Sequence, residues 1–238
     1  MKSVHYFGAA LVLVMVLLVA CTPKDECLVQ KDLPDQDNCF VERAVAQDDA
    51  SLCSNAKSSN FVDMCLSQIA VQDSDIGACS NVNDAQRKDF CISQISMASL
   101  QEGDCNLLAT DYWKDICIKT IAVNTSNSDL CSNLSTHVEW NDCYSKIAIK
   151  DADPLPCSLM DNRSMIDTCY IQVSIKLNDS SLCANVKNVV NRISCYGKLA
   201  KILRNESICD NVGFGNLTDF CKQSVRDQIA IDAEQNLN

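Results

Sequence analysis

Glycine is scarce in this chain, six residues among 238, and proline scarcer still, with four. That excludes long flexible or proline-rich linkers and leaves one continuous array as the expected organisation. Aromatic residues make up 5% of the total, so the core of any one unit must be thin. Histidine occurs only as His5 and His137. No nucleophile elbow, His-Glu-x-x-His helix or glycine-rich phosphate loop is present, so hydrolase, zinc-protease and nucleotide-binding readings have no motif to stand on. Positive charge is short as well: 20 Lys and Arg stand against 31 Asp and Glu, for a net charge of −11. Such a surface repels phosphate backbones, which proteins bind largely through Lys and Arg displacing counterions. No nucleic acid is expected as a partner.

Cysteine is what the chain has in excess, with 17 residues. After Cys21 they run from Cys27 to Cys221 with gaps that alternate 12 and 14 without a slip. The result is a 26-residue period in eight copies. A fixed period of this size marks a solenoid, in which each unit is one supersecondary element and neighbours bury each other's apolar faces.

Cys21 is explained by its neighbours. Residues 1–20 read as a secretory leader, with Lys2 in a short n-region and an apolar run from Phe7 to Ala20. The run ends in Leu18-Val19-Ala20-Cys21, which resembles the lipobox of bacterial-type lipoproteins. Cleavage before Cys21 would make it a lipidated N-terminus, followed by a linker over 21–26, the repeats over 27–232 and a tail over 233–238. The apolar run is short for a membrane span of about 20 residues, and an uncleaved anchor is the alternative. Either way the chain is exported. Outside the cytosol, sixteen regularly spaced cysteines read as a disulfide framework rather than as metal ligands or catalytic thiols. There is no Cys-x-x-Cys, and zinc would need ligands at shorter spacings.

Numbering each repeat from its first cysteine as position 0 shows where helices start. Four residues earlier stand Asp49, Asp75, Gln101, Asn127, Asp153, Asp179 and Asn205, all but Gln101 good acceptors for first-turn N–H groups. Asp153 precedes Pro154, suited to a first helical position. At position 5 stand Asp32, Ser58, Asp84, Thr110, Thr136, Asn162 and Asn188, with Phe214 the exception, and Thr136 with Glu139 has capping-box spacing. Each repeat therefore starts two helices: A, about two turns through position 0, and B, from position 6 to about 19. On helix B, Leu66, Ile92, Ile118, Tyr144, Tyr170 and Tyr196 at position 13 share a face with Ile69, Ile95, Ile121, Ile147, Val173 and Leu199 at position 16. Position 17 holds Ala or Ser. Apolar residues at position 18, such as Val71 and Val123, give helix B a second contact side.

The expected fold is all-α, an αα-hairpin solenoid of eight 26-residue repeats with one disulfide inside each. Cysteines at positions 0 and 12 lie on facing helices, and pairing them uses all sixteen. Pairing across the 14-residue gap would orphan Cys27 and Cys221. The expected bridges are Cys27–Cys39, Cys53–Cys65, Cys79–Cys91, Cys105–Cys117, Cys131–Cys143, Cys157–Cys169, Cys183–Cys195 and Cys209–Cys221. Lys222 and Arg226, at positions that are apolar or small elsewhere, give the last repeat a polar, cap-like face, and Arg43 does so in the first.

The pattern Asp179 to Val186 followed by Arg192 to Ala200 resembles repeats in uncharacterised secreted cysteine-rich αα-repeat lipoproteins of small-genome archaea, over residues 27–232. In architecture the chain is similar to disulfide-stapled solenoids related to the tetratricopeptide class. That resemblance implies binding of peptides or proteins.

An acidic column, Asp37, Asp63, Asp89, Asp115, Asp167 and Asp219 with Asn141 among them, occupies position 10. It would suit cations or basic peptides, but acceptance of hydrogen bonds from an adjoining turn is the expectation. Asn55, Asn81, Asn133, Asn185 and Asn211 at position 2 are read as backbone caps. Asp73 with Asp75, and Asp151 with Asp153, lack the glycine and terminal glutamate of an EF-hand. No metal and no cofactor is expected. The sequons at Asn124, Asn133, Asn162, Asn178, Asn205 and Asn216 permit glycosylation. The one irregularity is aromatic: Tyr112, Trp113 and His137 are the candidate binding residues, while Trp140 falls on the core face of its helix. The functional expectation is a noncatalytic, membrane-anchored surface lipoprotein that presents a helical-repeat face to a protein or peptide, attached through lipid on Cys21. A structural envelope spacer and an accessory subunit of an envelope enzyme are the alternatives.

Overall fold

The computed structural model describes residues 26–235. The leader, Cys21, most of the 21–26 linker and residues 236–238 lie outside the described residues. About 80% of the described residues are helical and none is in a strand. Each repeat consists of a short 3-10 helix (η) followed by an α-helix. The pairs are η1 (Glu26–Val29) with α1 (Leu33–Gln47), η2 (Ala50–Asn55) with α2 (Ser59–Gln72), η3 (Ala78–Asn81) with α3 (Ala85–Ser99) and η4 (Glu102–Leu107) with α4 (Asp111–Thr125). They continue as η5 (Ser128–Asn133) with α5 (His137–Asp151), η6 (Pro156–Leu159) with α6 (Arg163–Leu177), η7 (Ser180–Asn185) with α7 (Val189–Ile202) and η8 (Glu206–Val212) with α8 (Gly215–Gln235). The chain is thus an αα-hairpin solenoid of eight 26-residue repeats. All eight expected disulfides are present, each bridging 12 residues with Cα atoms 5.4–5.8 Å apart.

Helix A departs from the expectation of two α-turns: it is a 3-10 element. The N–H at position 3 closes onto the carbonyl of the first cysteine, as in Ala56 to Cys53, Val82 to Cys79 and Val186 to Cys183. The chain then leaves in extended backbone. This tight exit buries the position 3 side chains Ala56, Val82, Leu108, Leu134, Met160, Val186 and Val212. A second α-turn would carry the chain past the point where those side chains enter the core.

The junction between repeats uses one residue twice. The N–H four residues before each cysteine bonds to the carbonyl of the small residue at position 17 of the preceding helix, as in Asp75 to Ala70 and Asp179 to Ser174, both 2.9 Å. That is the long bond of a Schellman motif. The residue just before it is left-handed in every case, with φ of 50–58° at Asp48, Ser74, Leu100, Ser126, Ala152, Asn178 and Arg204. The side chain of the same junction residue then caps the next turn: Asp49 accepts from Ser51, Asp75 from Gly77, Asn127 from Asp129, Asp153 from Leu155, Asp179 from Ser181 and Asn205 from Ser207. Gln101, one methylene longer, makes no such cap bond. Pro154 lies ahead of η6 rather than at its first position.

The described residues form two compact units, divided inside α3 after Cys91. In the first, Val41, Ala44, Cys53, Cys65 and Ile69 form a buried cluster flanked by Phe61 and Met64. In the second, Cys183, Val186, Tyr196, Leu199, Cys209 and Val225 belong to one such cluster. The position 16 and 17 columns are buried as expected, and position 18 is half-buried. Lysines complete the second unit: Lys150 Nζ donates to the Val123 and Asn124 carbonyls at the end of α4, and Lys176 Nζ to those of Ile149 and Lys150. A cation there also opposes the negative end of the helix dipole.

Candidate functional site

In the second unit α4, α5, α6 and α7 each pack on the next, and all start at the same repeat position, so their N-termini line one edge. The second residue of each helix points outward there. Tyr112 is 68% exposed, Val138 70% and Val190 72%, with Ser164 exposed between the valines. The starts of α5, α6 and α7 are fixed by side-chain caps, whereas Thr110 at the start of α4 makes no side-chain cap bond. Thr136 accepts from Glu139 N–H, Asn162 from Ser164 and Met165, and Asn188 from Asn191. The capping box at Thr136 is only half formed, because the Glu139 carboxylate turns to Lys119 Nζ on α4, which also reaches Asp142 at 2.9 Å.

The three candidate residues form parts of two aromatic pairs. Tyr112 meets Trp113 edge-on, with centroids 5.3 Å apart. His137 lies 4.5 Å from Trp140. Trp140 is half-buried rather than in the core, because its indole N–H donates to the Leu134 carbonyl at 2.6 Å and holds the ring over the turn. His137 Nδ1 contacts Asp161, whose other oxygen accepts from Asn141 at 2.7 Å. The Asn141 amide, then His137, hold the Asp161 carboxyl below its ordinary range. The arrangement is a surface His–Asp pair. Val138 and Val190 escaped sequence reading, since an apolar residue one step from a cap looks like part of the core face.

The acidic column is a set of inter-repeat clasps. Asp37 accepts from the backbone N–H groups of Lys57 and Ser58, Asp63 from those of Asn83 and Asp84, and Asp167 from those of Lys187 and Asn188, all at 2.7–2.9 Å. Asp115 accepts from the Ser135 N–H and hydroxyl. Burial pushes the Asp63 carboxyl up, but the two N–H groups, the Asn83 side chain and the Arg87 charge together outweigh it and hold it below the ordinary range. Asn141 does the same work with one oxygen, taking the N–H groups of Asp161 and Asn162 at 3.0 and 3.2 Å. These side chains are spent on the fold, and Asp219 in the last repeat is exposed. Among the described residues no three His, Cys, Asp or Glu side chains cluster as metal ligands would.

An open cleft of about 600 Å³ lies between the starts of α6 and α7, lined by Arg163, Lys187, Val189 and Val190 among others. No protein-family model matches the chain, and neither does any curated protein or solved structure; the functional reading therefore rests on this edge and its chemistry.

Proposed function

We propose that the protein is a noncatalytic surface lipoprotein, anchored through lipid on Cys21, whose second unit offers the edge at the starts of α4–α7 to another protein or a peptide. One observation carries the reading. At one repeated position Tyr112, Val138 and Val190 are about 70% exposed, and the residue there runs Tyr, Val, Ser and Val over successive repeats. Aromatic and aliphatic side chains held outward on preorganised backbone serve as anchors with little ordering cost on binding. The eight disulfides indicate an oxidising, extracytoplasmic setting. No helix among the described residues is long and apolar enough to cross a membrane, and lipid on Cys21 supplies the attachment in this reading.

The test is crosslinking from native membranes with the full chain, compared with a Tyr112→Ser, Val138→Ser double variant. A partner captured by the parent and lost by a variant that keeps its helicity and disulfides supports the edge. A partner retained by the variant overturns it, and capture of none points to a spacer.

A further inference from the structure

The cleft between the starts of α6 and α7 combines two kinds of surface. Arg163 and Lys187 are exposed on its walls, and neither makes an ion pair among the described residues, although acids outnumber bases in the chain. Among the other cations of the second unit Lys119, Lys146, Arg204, Lys222 and Arg226 have carboxylate partners, Lys176 and Arg192 reach backbone carbonyls, and Lys114, Lys198 and Lys201 make no ion pair among the described residues. The cleft is where two cations without a carboxylate partner line one opening. The carboxylate in the cleft wall, Asp167, is buried with both oxygens turned to the backbone of Lys187 and Asn188, and it forms no ion pair with either cation. Beside them Val189 and Val190 are exposed.

We propose that this cleft binds an acidic, aliphatic peptide segment, its carboxylate held by Arg163 and Lys187 and an adjacent aliphatic side chain laid on Val189 and Val190. A guanidinium and an ammonium lining one cleft can both be donors to a carboxylate, and the guanidinium donates in pairs. The two valines supply apolar area that a free anion would not use. A short peptide fits better than an anionic bilayer, because it brings a few carboxylates to the cleft alone, whereas a bilayer sets a plane of negative charge against the whole surface of a chain of net charge −11. The proposal rests on the binding-edge reading and specifies its partner chemistry.

The probe is a fluorescein-labelled hexapeptide of alternating Asp and Leu, followed by anisotropy against the disulfide-bonded mature chain, with Asn-Leu and Asp-Ser counterparts. The Asp-Leu peptide is expected to bind about tenfold more tightly than either counterpart and to weaken with salt. Arg163→Glu with Lys187→Glu should weaken it about tenfold or more, with circular dichroism and the non-reducing peptide map unchanged. Lys198→Glu with Lys201→Glu, equal in charge change but outside the cleft, should stay within about twofold. No binding of the Asp-Leu peptide, equal binding of the Asn-Leu peptide, indifference to the cleft reversal, or equal loss in the control reversal overturns the proposal. Binding to phosphatidylserine vesicles in place of the peptide overturns it as well. If a native partner still depends on Tyr112 and Val138 in such a case, the edge reading survives without the cleft assignment.

Discussion

The carboxylate of Asp63 accepts the backbone N–H groups of Asn83 and Asp84 at 2.9 and 2.8 Å, and it shows how one residue joins two repeats. Removing it leaves two donors without their partner, so Asp63→Ala should cost about 2–3 kcal/mol in urea unfolding. The chain itself contains the milder exchange. In repeat 5 the acid is replaced by Asn141, and a carboxylate appears instead at Asp161, position 4 of the next repeat, where it accepts from the Asn141 amide. Asn83 holds position 4 opposite Asp63. Asp63→Asn alone should therefore cost about 1 kcal/mol, and adding Asn83→Asp should recover most of it, a coupling read from a double-mutant cycle. No recovery would mean that the Asn141–Asp161 pair is not interchangeable with the carboxylate clasp. The sign of the pH dependence follows from the lowered Asp63 pKa. The unfolded carboxyl, ordinary at about 4, takes up its proton first as pH falls. The stability that Asp63 contributes is thus fully present above about pH 4 and is lost through more acid pH, so the gap between parent and Asp63→Asn should narrow there.

At the scale of the helix the starts were legible and the ends were not. Asp, Asn, Ser and Thr before each cysteine and at position 5 announce the N-termini because their side chains replace missing backbone acceptors. The ends turn on a left-handed residue, and here it is Asp48, Ser74, Leu100, Ser126, Ala152, Asn178 or Arg204 rather than glycine, so composition gives no signal. Position 3 was also missed as core, since it lies in a connection and a connection is expected to be polar. Of the candidate site, Tyr112, Trp113 and His137 were visible as unusual residue types, whereas the cleft at Arg163 and Lys187 arises from two repeats meeting and has no local signature. The left-handed cap gives a prediction in the opposite direction from most substitutions. A non-glycine residue there costs about 1–2 kcal/mol, against about 0.5–1 kcal/mol of extra entropy lost by glycine. Ala152→Gly should accordingly stabilise the protein by about 0.5–1 kcal/mol, and a lower urea midpoint would show that the turn carries no strain. The hairpin is also stapled. Opening one bridge by Cys131→Ser with Cys143→Ser should cost about 3 kcal/mol for a loop of this length.

For the whole chain, sixteen cysteines held in eight bridges and few aromatics make the fold dependent on an oxidising compartment, and they leave Cys21 as the one cysteine outside the framework. The proposed attachment to a membrane can take more than one form, and these divide by physics. Electrostatic adhesion to an anionic surface is disfavoured at a net charge of −11. Lipid chains contribute about 0.8 kcal/mol for each buried methylene, so two or more chains hold a protein against salt. Native membranes should therefore retain the protein through a high-salt wash and release it to detergent. Cys21→Ser should shift it to the soluble fraction, or leave it as an unprocessed precursor of higher mass, with the eight bridges intact on a non-reducing map. A parent chain that itself retains residues 1–20, with salt-resistant attachment unchanged by Cys21→Ser, would identify the leader as an uncleaved anchor and remove the lipid from the proposal. Release by salt alone would instead place the attachment on a protein partner, so that the exposed edge rather than Cys21 fixes where the molecule resides.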